Sequence, residues 1–178
     1  MTRTTNARLA GIAFLLYIAA GVAGMGLQAR PHATAALALL TSLCALVLGV
    51  TLYAITRDVD ADLALLALTC RVIEAIPSHD AAIFFAVGST LFAWLLLRGR
   101  MIPAALAWLG VLASLLLVAL LPMQRAGLLG GSFSWASTIT WLMWLPMFVF
   151  EVVLTLWLLT KGVALPAARE SLGRTPGG

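Results

Sequence analysis

The amino-acid sequence predicts an all-α protein, a polytopic transmembrane helical bundle of about six spans with both termini in the cytoplasm. The first observation is composition: of 178 residues, 62% are hydrophobic and 10% are charged. A soluble core of this size cannot bury so many apolar side chains, so lipid must solvate much of the surface. The second observation is that long apolar segments alternate with short polar turns. The third is that Lys and Arg concentrate in alternate turns, as topology-determining charges do.

Hydropathy separates six candidate spans, at about 9–28, 34–55, 62–76, 81–97, 102–121 and 135–160. Each break contains residues that favour turns or end helices. In chain order, the breaks are Arg30-Pro31-His32, Arg57-Asp58-Val59-Asp60, Pro77-Ser78-His79-Asp80, Arg98-Gly99-Arg100 and the glycine-rich stretch 122–134. We therefore predict a single transmembrane domain over residues 1–162 and a flexible cytoplasmic tail over 163–178.

The third and fourth segments are short for transmembrane helices, with 15 and 17 residues. At ~1.5 Å per residue they reach ~22–26 Å, against a hydrocarbon core of ~30 Å. A hairpin that turns at 77–80 would hold His79 and Asp80 below the outer surface, as secondary polar residues of an outward-facing vestibule. Extension of the helices or local thinning of the bilayer explains the short segments equally well.

The distribution of Lys and Arg predicts the orientation of the bundle. With a cytoplasmic N-terminus, eight of these residues lie on the inner side of the membrane, whereas Arg30 and Arg125 lie in outer loops. This bias favours cytoplasmic locations for both termini. His32 and His79 then lie near the outer face, where they are interfacial polar residues or, as the weaker alternative, ligands to haem or metal.

Three ionisable residues, Arg71, Glu74 and Glu151, lie deep inside apolar segments. A charge at bilayer depth costs roughly 2.5–3.5 kcal/mol, so such residues usually face a protein interior or a polar site. Arg71 is nine residues from Asp62 and Glu151 is ten residues from Lys161, which places both at similar depth. Glu74 shares a helix face with Arg71 at the i, i+3 spacing. We therefore predict a buried polar or ligand-binding cluster of Arg71, Glu74 and Glu151.

The cluster has two acids for one base, so one carboxylate is left over. We expect Glu151 to pair with Arg71 across the bundle. We expect Glu74 to be the surplus acid because it faces the turn at 77–80 and is easier for water to reach. Three roles stay open: a structural clamp between helices, an anchor in which Arg71 holds an anionic group, and a proton relay.

Several other kinds of site have no support in the sequence. Cys44 and Cys70 lie in apolar segments without a metal-binding spacing, and no zinc-protease, phosphate-loop or serine-nucleophile motif is complete. We predict no cofactor and no bound metal. Because the basic residues are scattered at helix ends, we expect no nucleic-acid partner. Gly21, Gly24, Gly26 and Gly49 are expected to let helices approach closely.

The segment 62–75, which contains Arg71-Val72-Ile73-Glu74-Ala75, resembles the bacterial membrane family catalogued as domain of unknown function 4386. Further similarity lies in the segments 8–11, 100–103 and 106–110 and in the stretch from Glu151 to Lys161-Gly162. The resemblance implies a multi-pass protein of the bacterial cytoplasmic (inner) membrane without an assigned activity. It also implies that Arg71, Glu74 and Glu151 belong to the family pattern.

The function that the sequence favours is binding or moving a small amphipathic or anionic molecule at the charged cluster. One alternative is a non-catalytic membrane subunit or sensor that pairs with another membrane protein or with its own copies. Another is an intramembrane enzyme in which Glu74 or Glu151 acts as acid or base. Under each of these three functions, we expect the lipid bilayer to surround the protein.

Overall fold

The computed structural model describes residues 2–27, 29–78, 80–129, 135 and 137–164. These residues form six α-helices and no strand, which confirms the all-α prediction. The helices are α1 (Arg3–Gly26), α2 (Pro31–Thr56), α3 (Ala61–Glu74), α4 (Ala81–Arg98), α5 (Ala104–Arg125) and α6 (Thr138–Thr160). The predicted tail beyond residue 164 lies outside the described residues.

The turn sequences explain several of the helix boundaries. The Asp60 side chain accepts a hydrogen bond of 3.2 Å from the Leu63 backbone N–H and so caps the start of α3. Pro31 occupies the first turn of α2, where a missing N–H costs nothing. After α4, Arg100 adopts a left-handed conformation with φ 52°, and the Met101 N–H donates back to the Leu96 carbonyl at 3.0 Å. This geometry ends α4 sharply and directs the chain into α5.

The helices form a closed ring in chain order. Each helix packs against the next, and α6 packs against α1, whereas α3 and α6 have no backbone contact within the described residues. The core is filled by alanine and by larger apolar side chains such as Phe14, Leu48, Leu117 and Met147, all fully or almost fully buried. Because every helix turns one face inward, polar residues from non-adjacent helices can meet at the centre of the ring.

Five of the six helices are long and apolar enough to cross a membrane. The exception is α3, whose 14 residues reach about 21 Å at 1.5 Å per residue. Large apolar side chains project outward around the ring, for example Leu39, Leu112 and Leu142, each more than 60% exposed. Lipid is the solvent that suits this surface, so the fold is that of a multi-pass membrane protein.

Helices α1 and α6 are in close contact at one end and separated at the other. A Cβ atom at Gly11 would lie 2.8 Å from Leu159 Cγ, so glycine is required for this approach. In contrast, no atom lies within 4 Å of the position that a Cβ would take at Gly21, Gly24 or Gly26. The expectation that these three glycines bring helices together is therefore wrong, and the open space at Gly21 belongs to a cleft between α1 and α6.

Ion pairs fasten both ends of the ring. At the end that the charge count predicts to be cytoplasmic, Arg3 pairs with Asp58 at 2.8 Å and Arg98 pairs with Asp60 at 3.1 Å. At the opposite end, Arg125 pairs with Asp80 and connects the end of α5 to the start of α4. These are exposed or partly exposed pairs, and each contributes roughly 0–1 kcal/mol to stability.

Candidate functional site

Arg71 lies in the last turn of α3 and is 1% exposed, which makes it one of the most deeply buried side chains in the protein. The neighbouring helices approach it closely. A Cβ at Gly49 of α2 would lie 2.9 Å from Arg71 Cβ, and one at Gly88 of α4 would lie 3.8 Å from Arg71 Cγ. The prediction that Gly49 allows close packing is confirmed. The guanidinium therefore enters the centre of the ring between α2 and α4.

The guanidinium is held by three partners. Nη1 donates to Glu74 Oε2 at 2.8 Å, and Nη2 donates to Ser89 Oγ at 3.1 Å. Its central carbon lies 4.9 Å from the centre of the Phe85 ring, a distance at which a cation is attracted to an aromatic face. The space beside Arg71 and Ser89 is a cavity of about 10 Å³, room for at most one water molecule.

Glu74 uses both of its carboxylate oxygens. Oε2 accepts from Arg71, and Oε1 accepts from the Tyr17 hydroxyl at 2.8 Å. Its side chain is 6% exposed. Because Tyr17 belongs to α1 and Ser89 belongs to α4, this hydrogen-bonded chain of side chains links α1, α3 and α4 across the ring. We call Tyr17, Arg71, Glu74 and Ser89 the Arg71 network.

Glu151, in the middle of α6, is close to this network without being bonded to it. The residue is 6% exposed, and its Oε1 is buried without a hydrogen-bond partner among the described residues. No described cation lies within 4.0 Å of its carboxylate. It is near enough to interact electrostatically with both Arg71 and Glu74. The helix continues unbroken through Pro146 to Thr160, so Glu151 is held on a regular element.

These contacts correct two expectations about the cluster. Arg71 pairs with Glu74 on its own helix and not with Glu151 across the bundle. The surplus carboxylate is Glu151 and not Glu74. Counting residues along two helices gives only the depth of Arg71 and Glu151 in the membrane. In the ring α3 packs against α2 and α4 and has no backbone contact with α6, so the i, i+3 partner Glu74 is closer at hand for Arg71 than Glu151 is.

The cleft between α1 and α6 holds a cavity of about 380 Å³ beside Glu151. Aromatic side chains dominate its wall: Tyr17, Trp135, Trp141, Trp144 and Phe148. The other lining residues, apart from Glu151 itself, are uncharged: Ile18, Gly21, Val22, Met25, Thr41 and Leu145. We call this space the Glu151 cavity. Glu151 thus provides its one formal charge among the described residues.

A second cavity, of about 250 Å³, lies next to the first and is lined by Glu74. The two cavities share four lining residues: Tyr17, Thr41, Trp135 and Trp144. Tyr17 therefore stands between the two carboxylates, donating its hydrogen bond to Glu74 and contributing to the wall beside Glu151. The Arg71 network and the Glu151 cavity are neighbours with a common wall.

The secondary polar positions take no part in this arrangement. Asp80 is exposed, pairs with Arg125 and does not line either cavity. His79 lies outside the described residues. His32 lies in the first turn of α2 and is exposed. Within the part of the chain that the structure describes, no group of three or more His, Cys, Asp or Glu residues is arranged to hold a metal ion.

Sequence reasoning did not find Tyr17 or Ser89. A tyrosine inside an apolar helix is a usable signal, because a buried phenol needs a hydrogen-bond partner. Ser89 gave no comparable signal, since small polar residues are common between packed transmembrane helices. Two threonines on the same helices as the cluster bond to their own backbones: Thr155 donates to the Glu151 backbone carbonyl at 2.6 Å and Thr69 to the Leu65 carbonyl at 2.9 Å.

The fold and site define a multi-pass α-helical membrane protein with a charged interior. Residues 78–162, which include Glu151, match the family model described as Domain of unknown function (DUF4386). This match confirms the predicted resemblance over those residues, while Arg71 and Glu74 precede the matched range. Searches of curated proteins and of solved structures found no match.

Proposed function

We propose that this protein binds a small amphipathic molecule in the Glu151 cavity, and that this binding serves to carry or sense the molecule at the membrane. The observation that carries the proposal is Glu151 itself: a carboxylate 6% exposed, with a buried oxygen that lacks a partner, on the wall of a cavity of about 380 Å³. Uncompensated charges inside membrane proteins are costly, and those that persist usually serve substrate or ion pathways.

The size and lining of the cavity support a small organic ligand. Pockets that hold such ligands commonly measure about 300–1,000 Å³ and combine apolar walls with a few polar groups. The Glu151 cavity lies within this range and has that composition. Its lining residues Val22 and Leu145 are 52% and 50% exposed, which indicates an opening towards lipid between α1 and α6. An amphipathic molecule already dissolved in the bilayer can enter by this route.

The proposed binding site is beside Glu151 and not beside Arg71. Arg71 is already paired with Glu74, and the space beside it holds no more than about one water molecule. The Arg71 network instead supports the structural clamp among the roles predicted for the cluster. A rigid network next to the cavity would hold Tyr17, the shared wall residue, in place.

A substitution that fills the cavity without changing its charge tests this proposal. Gly21→Leu adds a side chain into the open space, whereas Gly24→Leu adds the same side chain to the same helix at a position that does not line the cavity. Each protein is extracted in native-lipid nanodiscs, and its retained small molecules are measured by mass spectrometry. We expect a molecule that is retained by wild type and Gly24→Leu and lost from Gly21→Leu. Equal retention by all three proteins would contradict the proposal.

We also propose that the protein lies in the bacterial cytoplasmic membrane with both termini inside. The support is the charge count of the sequence, eight inner Lys and Arg against two outer ones. Reporter fusions should report the outside after Arg30, Ser78 and Gly130, and the inside after Asp58, Gly99 and Gly173. Inversion of the fusion at Ser78 or at Gly99 would show that α3 and α4 do not form a spanning hairpin.

A further inference from the structure

We infer that the Glu151 cavity selects cationic amphiphiles, with a protonated or quaternary ammonium group beside Glu151 and an apolar tail along α1 and α6. This inference rests on the proposed function and adds the chemical class of the ligand. Among the described lining residues Glu151 is the one that carries a formal charge. A ligand with a positive group would supply the direct ion-pair partner that no described residue provides.

Arg71 interacts with Glu151 electrostatically, but its hydrogen bonds go to other residues. One terminal nitrogen donates to Glu74 and the other to Ser89, and Nε is buried without a partner among the described residues. The Arg71 Cβ and Cγ atoms lie within 4 Å of the positions that a Cβ would take at Gly49 and Gly88, respectively, so α2 and α4 enclose the base of this side chain on two sides. Among the described residues no cation forms an ion pair with Glu151, so a direct partner for its carboxylate is left to a ligand.

The aromatic wall favours the same sign of charge. Trp135 lies 5.6 Å from Trp141 and 5.7 Å from Trp144 between ring centres, with tilts of 59° and 57°. All three indoles line the cavity, and the faces of such rings attract cations, above all alkylammonium groups. The protein uses the same attraction within its own core, where Arg71 lies over Phe85. An anionic group would meet repulsion from both Glu151 and the ring faces.

The apolar lining and the opening to lipid argue for an organic cation over a metal ion. Hard metal cations need several oxygen ligands, whereas this wall offers one carboxylate among indole, phenyl and aliphatic groups. An ammonium with alkyl substituents is weakly hydrated and loses little on entering such a space. Its apolar tail can extend past Val22 and Leu145, which are exposed on the lipid side.

The experiment compares three probes that share one tail and differ in charge: 4-phenylbutyltrimethylammonium, 4-phenylbutanol and 5-phenylpentanoate. Binding is measured by equilibrium dialysis against phosphatidylcholine nanodiscs with and without the protein, so that partition into lipid is subtracted. The proteins are wild type, Glu151→Gln, Gly21→Leu and the control Gly24→Leu.

We expect wild type and Gly24→Leu to bind the cation about tenfold or more tightly than the alcohol, as a carboxylate and aromatic faces acting together allow. Glu151→Gln should lose most of that preference while still binding the alcohol. Gly21→Leu should bind none of the probes. The cation inference would be overturned if wild type bound the alcohol or the carboxylate at least as tightly as the cation. If that binding were also lost in Gly21→Leu, the proposed function would still stand. No binding of any probe by wild type would overturn both.

Discussion

The two acidic residues inside the bundle, Glu74 and Glu151, both have little exposure to solvent but differ in how their charge is satisfied. Glu74 accepts from Arg71 and from Tyr17, so both of its oxygens have partners. Glu151 has a buried oxygen without a partner and lines a cavity. The comparison teaches that depth in the membrane does not identify a binding residue. The number of partners of each charged group separates Glu74, which is bonded to two other side chains, from Glu151, which we propose for ligand binding.

The largest expected effect comes from Arg71→Met, which leaves Glu74 buried without its counter-charge. Breaking a buried ion pair from one side costs about 3–5 kcal/mol of unfolding free energy. Equilibrium unfolding by sodium dodecyl sulfate in mixed micelles measures the loss. The double variant Arg71→Met with Glu74→Gln should recover part of it, because the unpaired charge is removed. Losses that add strictly would contradict the pairing of Arg71 with Glu74. If Glu151→Gln, and not Glu74→Gln, recovers stability in the Arg71→Met background, then Arg71 pairs with Glu151.

A smaller loss is expected from Gly49→Ala, which tests how tightly the Arg71 network is packed. The new methyl group would lie 2.9 Å from Arg71 Cβ, so α2 has to move away from α3. Overpacking of this kind costs about 1–3 kcal/mol. Gly24→Ala is the matched control, because no atom lies within 4 Å of its Cβ position. The same unfolding assay should separate the two variants; an unchanged Gly49→Ala protein would show that the packing around Arg71 is loose.

The Tyr17 hydroxyl contributes an amount comparable to the Gly49→Ala loss. Tyr17→Phe keeps the ring and removes the hydrogen bond to Glu74 Oε1, which is worth about 1.5–3 kcal/mol when the acceptor is charged. The variant should keep its α1 packing and lower the unfolding free energy. In the Arg71→Met background its effect should change, because both substitutions act on one carboxylate. An identical effect in both backgrounds would mean that Tyr17 and Arg71 do not act on Glu74 together.

Much of this arrangement could be predicted from the sequence. The apolar segments and turn residues predict an all-α membrane fold, and helical periodicity predicts that Glu74 can reach Arg71. The wrong choice of surplus acid has a physical reason: depth follows from counting residues along a helix, whereas position around the ring depends on which helices pack together. No sequence feature indicated that α3 and α6 lack backbone contact.

The glycines of α1 illustrate the same limit. Small residues often mark close helix contacts in membranes, and Gly11 does so against Leu159. Gly21 on the same helix instead leaves space that becomes part of the Glu151 cavity. A glycine in the sequence shows only that no Cβ is present at that position. Tertiary packing decides whether a neighbouring helix fills that space or leaves it open.

The most direct test of the contrast is the unfolding free energy of Glu74→Gln and Glu151→Gln, measured in one detergent without added ligand. The account predicts that Glu74→Gln loses about 3–5 kcal/mol, because Arg71 is left uncompensated. Glu151→Gln should be as stable as wild type or more stable, because it removes a buried charge that has no direct ion-pair partner among the described residues. A loss in Glu151→Gln as large as that in Glu74→Gln would show that Glu151 also holds helices together, and would contradict its role as the free carboxylate of a binding site.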